Sequence, residues 1–160
     1  MERKFIADAM LGRLARWLRI MGYDTEYFPA IADAELVERG ESGGRLILTR
    51  DTLLIRRRRA RHNSFLVEGD HFRDQLRQVV LVFGLDPLGR FLTRCLECNT
   101  PLCDIDRESV GDLVPSYVLG TQERFQVCPS CHRLYWGGTH RERMREALQA
   151  ILEGGRGDAL

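Results

Sequence analysis

Residues 43–62 read GGRLILTRDTLLIRRRRARH, and the order of residue types in this stretch decides the fold. Gly43 and Gly44 make a turn, and Leu46-Ile47-Leu48 is a short β-branched and aliphatic run of the kind found in a strand buried on both faces. Thr49-Arg50-Asp51 ends it, and a short basic helix is expected next. The same grammar stands at the N-terminus, where Phe5-Ile6-Ala7 runs into Asp8. Two strands each deliver a carboxylate to the start of a helix. Such carboxylates can cap helices, or they can gather into a metal site.

Outward from these strands the alternation continues. Met10, Leu11, Leu14, Trp17, Leu18 and Met21 recur at helical spacing, with Gly22 as a C-terminal cap. Thr25 to Phe28 reads as a strand ended by Pro29, and Asp33-Ala-Glu-Leu-Val-Glu opens another helix. Ser64 to Val67 is a fourth strand. A helix from about Asp70 to Phe83 turns Phe72, Leu76, Val79, Val80 and Phe83 inward. Strand, helix, strand, helix at this spacing predicts an α/β fold with a parallel sheet covered on both faces. Leu85-Asp-Pro-Leu-Gly is a connector. A last amphipathic helix from Thr139 carries Met144, Leu148, Ile151 and Leu152, and the glycine-rich end reads as a frayed tail. The expected divisions are 1–88, 89–153 and 154–160.

Composition bounds the answer without naming it. At 160 residues, 44% hydrophobic and 29% charged, the chain has material for an ordinary core. The net charge of +1 hides a local excess. Arg45, Arg50, Arg56, Arg57, Arg58, Arg59 and Arg61 face Asp51 as the one acid in their window. Lys4 is the sole lysine, so the positive charge is guanidinium, which suits bidentate phosphate contacts. The bland alternative is a solvated arginine face. No apolar stretch reaches the roughly 20 residues of a membrane span, and the start of the chain lacks a signal-peptide pattern, so a cytoplasmic protein is expected.

Cys95-Leu-Glu-Cys98 and Cys128-Pro-Ser-Cys131 are two C-x-x-C knuckles separated by residues 99–127. Four thiolates from two tight turns suit tetrahedral Zn²⁺, and a closed four-thiolate site is structural. A thioredoxin-like dithiol is disfavoured, because neither knuckle lies between a strand and a helix. Haem attachment at Cys128-Pro-Ser-Cys131-His132 is disfavoured by the partner knuckle. Cys103 is left over. Arg94, Arg124, Arg133, Tyr135 and Trp136 mix guanidinium with aromatic faces, which suits single-stranded nucleic acid or plain packing.

Asp8, Asp33, Asp51 and Asp70 each precede an expected helix, where aspartate is a common cap. In an open parallel sheet, however, residues beyond the strand C-termini line one crevice. Carboxylates gathered there suit Mg²⁺ or Mn²⁺, which can serve phosphodiester hydrolysis. Arg13, Arg16 and Arg50 are placed to hold neighbouring phosphates, and Thr49 to hydrogen-bond a carboxylate or water. Glu35, Asp74 and Glu68 remain alternatives for the second and fourth acids.

In combination, FIADAMLGRLARWLRIMGYDT, DAELVE, RLILTRDTLL, RCLECNTPL, VPSYV and CPSCHRLYWGGTHRERM carry a likeness over residues 4 to 152. The chain resembles the mut-seven C-terminal ribonuclease family, which joins a PIN-like nuclease domain to a zinc ribbon. The resemblance implies a PIN-like three-layer α/β/α fold with a parallel sheet, a small zinc ribbon, a C-terminal helix and a metal-dependent ribonuclease acting on RNA. It matches Asp8 to the first PIN aspartate and Asp51 to the third. Asp33 is the best match to the second acid and Asp70 the nearest candidate for the fourth. The family fold also includes members that bind RNA without cutting it, so a non-catalytic RNA-binding or ribosome-associated module is the alternative. The oligomeric state is open.

Overall fold

A computed structural model describes residues 2–154; the expected tail at 154–160 falls almost wholly outside them. By contacts the chain divides after Asn99, with a second unit beginning at Thr100.

The first unit is built on strands β1 (Phe5–Ala7), β2 (Thr25–Tyr27), β3 (Leu46–Thr49) and β4 (Ser64–Leu66). They form one sheet in the order β2-β1-β3-β4, every pair parallel. All three residues of β1 are fully buried, because it lies inside the sheet with helices on either face. Helices α1 (Gly12–Ile20), α2 (Asp33–Ser42) and α3 (Phe72–Phe83) follow β1, β2 and β4. Successive residues of a strand point to opposite faces. Ile6 and Ile47 pack on one side with Leu36 and Val37 of α2, and with Leu54 and Ala60. Phe5 and Phe65 meet Phe83 of α3 edge-on from the other, with ring centroids 6.0 and 5.0 Å away. The expected mixed α/β architecture with a parallel sheet is therefore present.

Three boundaries differ from expectation, each for a local reason. Met10 is not on the buried face of α1 but 74% exposed. The Asp8 side chain takes the Ala9 N–H, the Leu11 N–H closes on Asp8 O in a tight turn, and the α-helical phase begins at Gly12. After Asp51 there is only a 3-10 turn, Leu54–Arg56, in place of a basic helix. Helix α3 starts at Phe72, not Asp70. Gly22 ends α1 as expected. Its φ is +89°, and a Cβ there would lie 2.2 Å from Arg90 O, so no other residue fits.

One polar network ties strand ends together within this unit. Arg45 donates to both oxygens of Asp24, at 2.6 and 3.2 Å, and Asn99 Nδ2 donates to Asp24 Oδ1 at 2.7 Å. Burial alone would raise the Asp24 pKa, but these hydrogen bonds outweigh it and hold the carboxyl below its ordinary value. A depressed carboxyl pKa stabilises the fold above the unfolded value, and that contribution is lost as pH falls through the folded one. The urea midpoint should therefore drop on acidification below about pH 4, and Asp24→Asn should flatten that dependence.

The second unit carries an antiparallel sheet of β5 (Cys103–Ile105), β6 (Phe125–Val127) and β7 (Leu134–Trp136), in that order. Short helices α4 (Arg107–Val110) and α5 (Ser116–Thr121) stand between β5 and β6. Val110, Val114, Val118 and Phe125 make its buried cluster, with Ile105, Leu119 and Leu134 against it. Helix α6 (Thr139–Leu152) buries Leu148 and Ile151. Among the described residues, no helix is long and apolar enough to cross a membrane.

Candidate active site and metal centre

The strand order reverses between β1 and β3, and the crevice at such a switch point is where open parallel sheets hold ligands. Asp8 follows β1 directly. Its N–H donates to Leu48 O at 2.9 Å, which prolongs the β1–β3 ladder by one bond and fixes the aspartate at the strand mouth. Thr49, fully buried at the end of β3, donates from Oγ1 to Asp8 Oδ2 at 2.8 Å. The same oxygen accepts the Asp51 N–H at 3.0 Å. One hydroxyl thus bonds the Asp8 carboxylate and the Asp51 main chain.

Neither carboxylate is saturated. Asp8 Oδ1 takes Ala9 N–H at 2.6 Å and Oδ2 takes Thr49, which leaves one lone-pair site on each oxygen. Asp51 Oδ1 caps the following turn by accepting from Leu53 and Leu54 N–H. Its Oδ2 accepts no hydrogen bond among the described residues. Thr49→Val should leave Asp8 short of one donor and the half-buried Asp51 N–H without its acceptor. A loss of about 1–3 kcal/mol in urea unfolding is expected.

The other two aspartates are drawn elsewhere. Asp33 is the first residue of α2, not its cap, and Oδ2 accepts from Arg57 at 2.8 Å. Asp70, whose side chain is 84% exposed, accepts from Arg50 at 2.7 Å. The alternatives are also paired: Glu35 with Arg39, and Asp74 with Arg77. Among the described residues, no three acids lie close enough to share one ion. The arginine run behaves similarly: Arg57 pairs with Asp33 and Arg59 with Glu41, both acids of α2. Arg16 pairs with Glu97, and the Arg13 guanidinium stacks over Phe72 at 5.0 Å.

Two residues of this region were not among the expected ones. Tyr27, at the end of β2, donates its hydroxyl to Ala9 O at 2.8 Å, one residue beyond Asp8. Gly12 makes room for that ring, since a Cβ on it would lie 2.8 Å from the hydroxyl. A glycine in the first turn of a helix, where most residues are better helix formers, was the available signal.

A family model described as the Mut7-C RNAse domain matches residues 3–148. The chain belongs to the Mut7-C RNAse domain family. Comparisons with curated proteins and with solved structures find no significant match.

The second feature of this Mut7-C chain is its cysteine set. Cys95, Cys98, Cys128 and Cys131 place their sulfurs all within 4.8 Å of one another, the first of each pair buried and the second exposed. The knuckles share one turn shape. Asn99 and His132, each directly after a second cysteine, have φ of +64° and +62°. Their N–H groups donate to Cys95 O and Cys128 O, both at 2.9 Å. His132 is thereby a turn residue. Cys98 N–H donates to Cys95 Sγ at 3.4 Å. Thiolates 2.3 Å from a tetrahedral ion stand about 3.8 Å apart, so this set can close on one Zn²⁺. Cys103 lies outside it, exposed on β5.

Arg19 fixes the first knuckle from below. Only 7% exposed, it donates to Thr25 O at 2.9 Å, and to Leu96 O and Glu97 O at 3.0 and 3.1 Å. Burial lowers its pKa, while the surrounding acids and cysteines oppose the shift.

Proposed function

We propose that this Mut7-C protein is a metal-dependent ribonuclease that hydrolyses RNA phosphodiester bonds at the C-terminal edge of the parallel sheet. The observation that carries the reading is the pair Asp8 and Asp51, one bonded through its carboxylate and the other through its main chain to one buried threonine at the switch point of the sheet. The family supplies the reaction class and RNA as substrate.

Asp8 and Asp51 are the proposed ligands of Mg²⁺ or Mn²⁺. Such an ion, when bound, acidifies a water and offsets charge on the leaving oxygen. Arg50 and Arg57 have a second part. Their pairs with Asp70 and Asp33 are solvent-exposed and worth about 0–1 kcal/mol. A phosphate with its higher charge density can take over the guanidinium. That exchange would release Asp33 and Asp70 toward the site as the RNA arrives. Arg13, Arg16 and Arg50 then hold backbone phosphates, of single-stranded RNA in this reading. We also assign a PIN-like three-layer fold to residues 1–88, a zinc ribbon with terminal helix to 89–153, a structural zinc to the four cysteines, and a cytoplasmic location.

A second reading, RNA binding without cutting, is favoured by the arginine pairing of Asp33 and Asp70. Parallel gel-shift and cleavage assays on one labelled RNA separate the two. The nuclease reading expects Mn²⁺-dependent cleavage lost in Asp51→Asn with binding retained. Salt-sensitive binding that ignores both Mn²⁺ and the mutation, with no product, would support the second.

A further inference from the structure

Within the first unit lies an open cleft of about 510 Å³, one lining residue of which, Tyr27, is hydrogen-bonded to Ala9 beside Asp8. Its walls are Gly12, Arg13 and Arg16 of α1, Tyr27 at the end of β2, Pro29 beyond it, and Glu97 of the first knuckle. Building on the ribonuclease reading, we infer that this cleft holds one nucleotide of the RNA next to the scissile bond, its phosphate on Arg13 and Arg16 and its base against Tyr27 and Pro29.

The size fits. Clefts that bury a ligand of nucleotide size run about 300–1,000 Å³ and combine apolar walls with a few placed polar groups. The position fits as well. The Tyr27 hydroxyl is held by Ala9 O, so its ring is anchored to the turn that carries Asp8. A base on that ring would stand next to the turn that carries Asp8.

The chemistry separates the three arginines. Arg19 also lines the cleft, but it is only 7% exposed and three of its five N–H donors go to the Thr25, Leu96 and Glu97 carbonyls, so it serves as floor. Arg13 sits over the Phe72 ring at 5.0 Å, and among the described residues its N–H groups make no hydrogen bond or ion pair. Arg16 and Glu97 are each about half exposed (49% and 48%), and so weakly tied that a phosphate can displace the carboxylate. Arg13 and Arg16 are three positions apart, on one side of the helix.

The test uses the zinc-loaded full chain without added divalent metal, titrated with AMP and, separately, with inorganic phosphate, followed by amide NMR shifts. AMP should bind more tightly than phosphate and shift Gly12, Tyr27 and Arg16. Arg13→Gln and Arg16→Gln, both at exposed positions, should each weaken AMP by about tenfold or more. Asp51→Asn should leave AMP affinity unchanged. AMP and phosphate binding equally would overturn base recognition. No shift at these residues, in a sample that cuts RNA with Mn²⁺, would overturn the cleft and leave the ribonuclease reading standing. Shifts in a sample that never cuts would support the cleft and remove that reading.

Discussion

Cys128→Ser is expected to unfold the small sheet of β5, β6 and β7, with the loss of its amide NMR dispersion and of bound zinc. The buried cluster there is Val110, Val114, Val118 and Phe125. Each such side chain contributes about 1.5–3 kcal/mol on burial, whereas ordering the backbone costs about 1–2 kcal/mol for every residue. A core of this size does not offset that cost. Structural zinc contributes about 10–16 kcal/mol in small zinc-binding peptides, as much as the whole stability of a typical domain, about 5–15 kcal/mol. Cys128 is the sharper choice over Cys131 because it is buried, and its N–H also bonds Arg133 O across the turn at 2.9 Å. Cys103→Ser, outside the sulfur cluster, should change neither zinc content nor fold. Retention of the β5–β7 signals in a zinc-free Cys128→Ser sample would remove the structural role of the metal.

Asp8→Asn should reduce single-turnover RNA cleavage by roughly 10²–10⁴-fold, with RNA affinity nearly unchanged. Asparagine keeps the size of the side chain and an oxygen able to accept from Thr49 or Ala9, so the turn at the end of β1 persists. It removes the negative charge that a divalent ion needs. Loss of metal-assisted stabilisation is worth several kcal/mol, and each 1.36 kcal/mol is tenfold in rate. Phosphate contacts by arginine dominate affinity and do not involve Asp8. A variant that loses binding and turnover together would instead point to Asp8 as a purely structural cap.

Much of the frame was legible in residue order, and for a physical reason. A strand buried on both faces has no polar alternation, so Phe5-Ile6-Ala7 and Leu46-Ile47-Leu48 declare themselves, and the residue after a parallel strand stands at the ligand edge. Asp8 directly follows β1 and Asp51 stands two residues beyond β3. The knuckles are equally local, since C-x-x-C is a turn and its spacing is its function. What depends on distant charge was not legible. The run from Arg56 to Arg61 has helical composition, yet only Arg56 belongs to the 3-10 turn and the residues after it form further turns, with Arg57 and Arg59 paired to Asp33 and Glu41 on α2. The pairing of Arg50 with Asp70 has the same origin. Tyr27 escaped because nothing in Thr-Glu-Tyr marks a hydroxyl that reaches back to Ala9. Only Gly12, out of place in a helix, pointed to it.

The most direct test of the acid pair is cleavage of end-labelled single-stranded RNA by the zinc-loaded chain in Mn²⁺, with Asp51→Asn and a Mn²⁺-free control beside it. Product that appears with Mn²⁺, and disappears in both controls while the RNA stays bound, is the predicted result. Cleavage by Asp51→Asn at the rate of the parent chain would contradict the account.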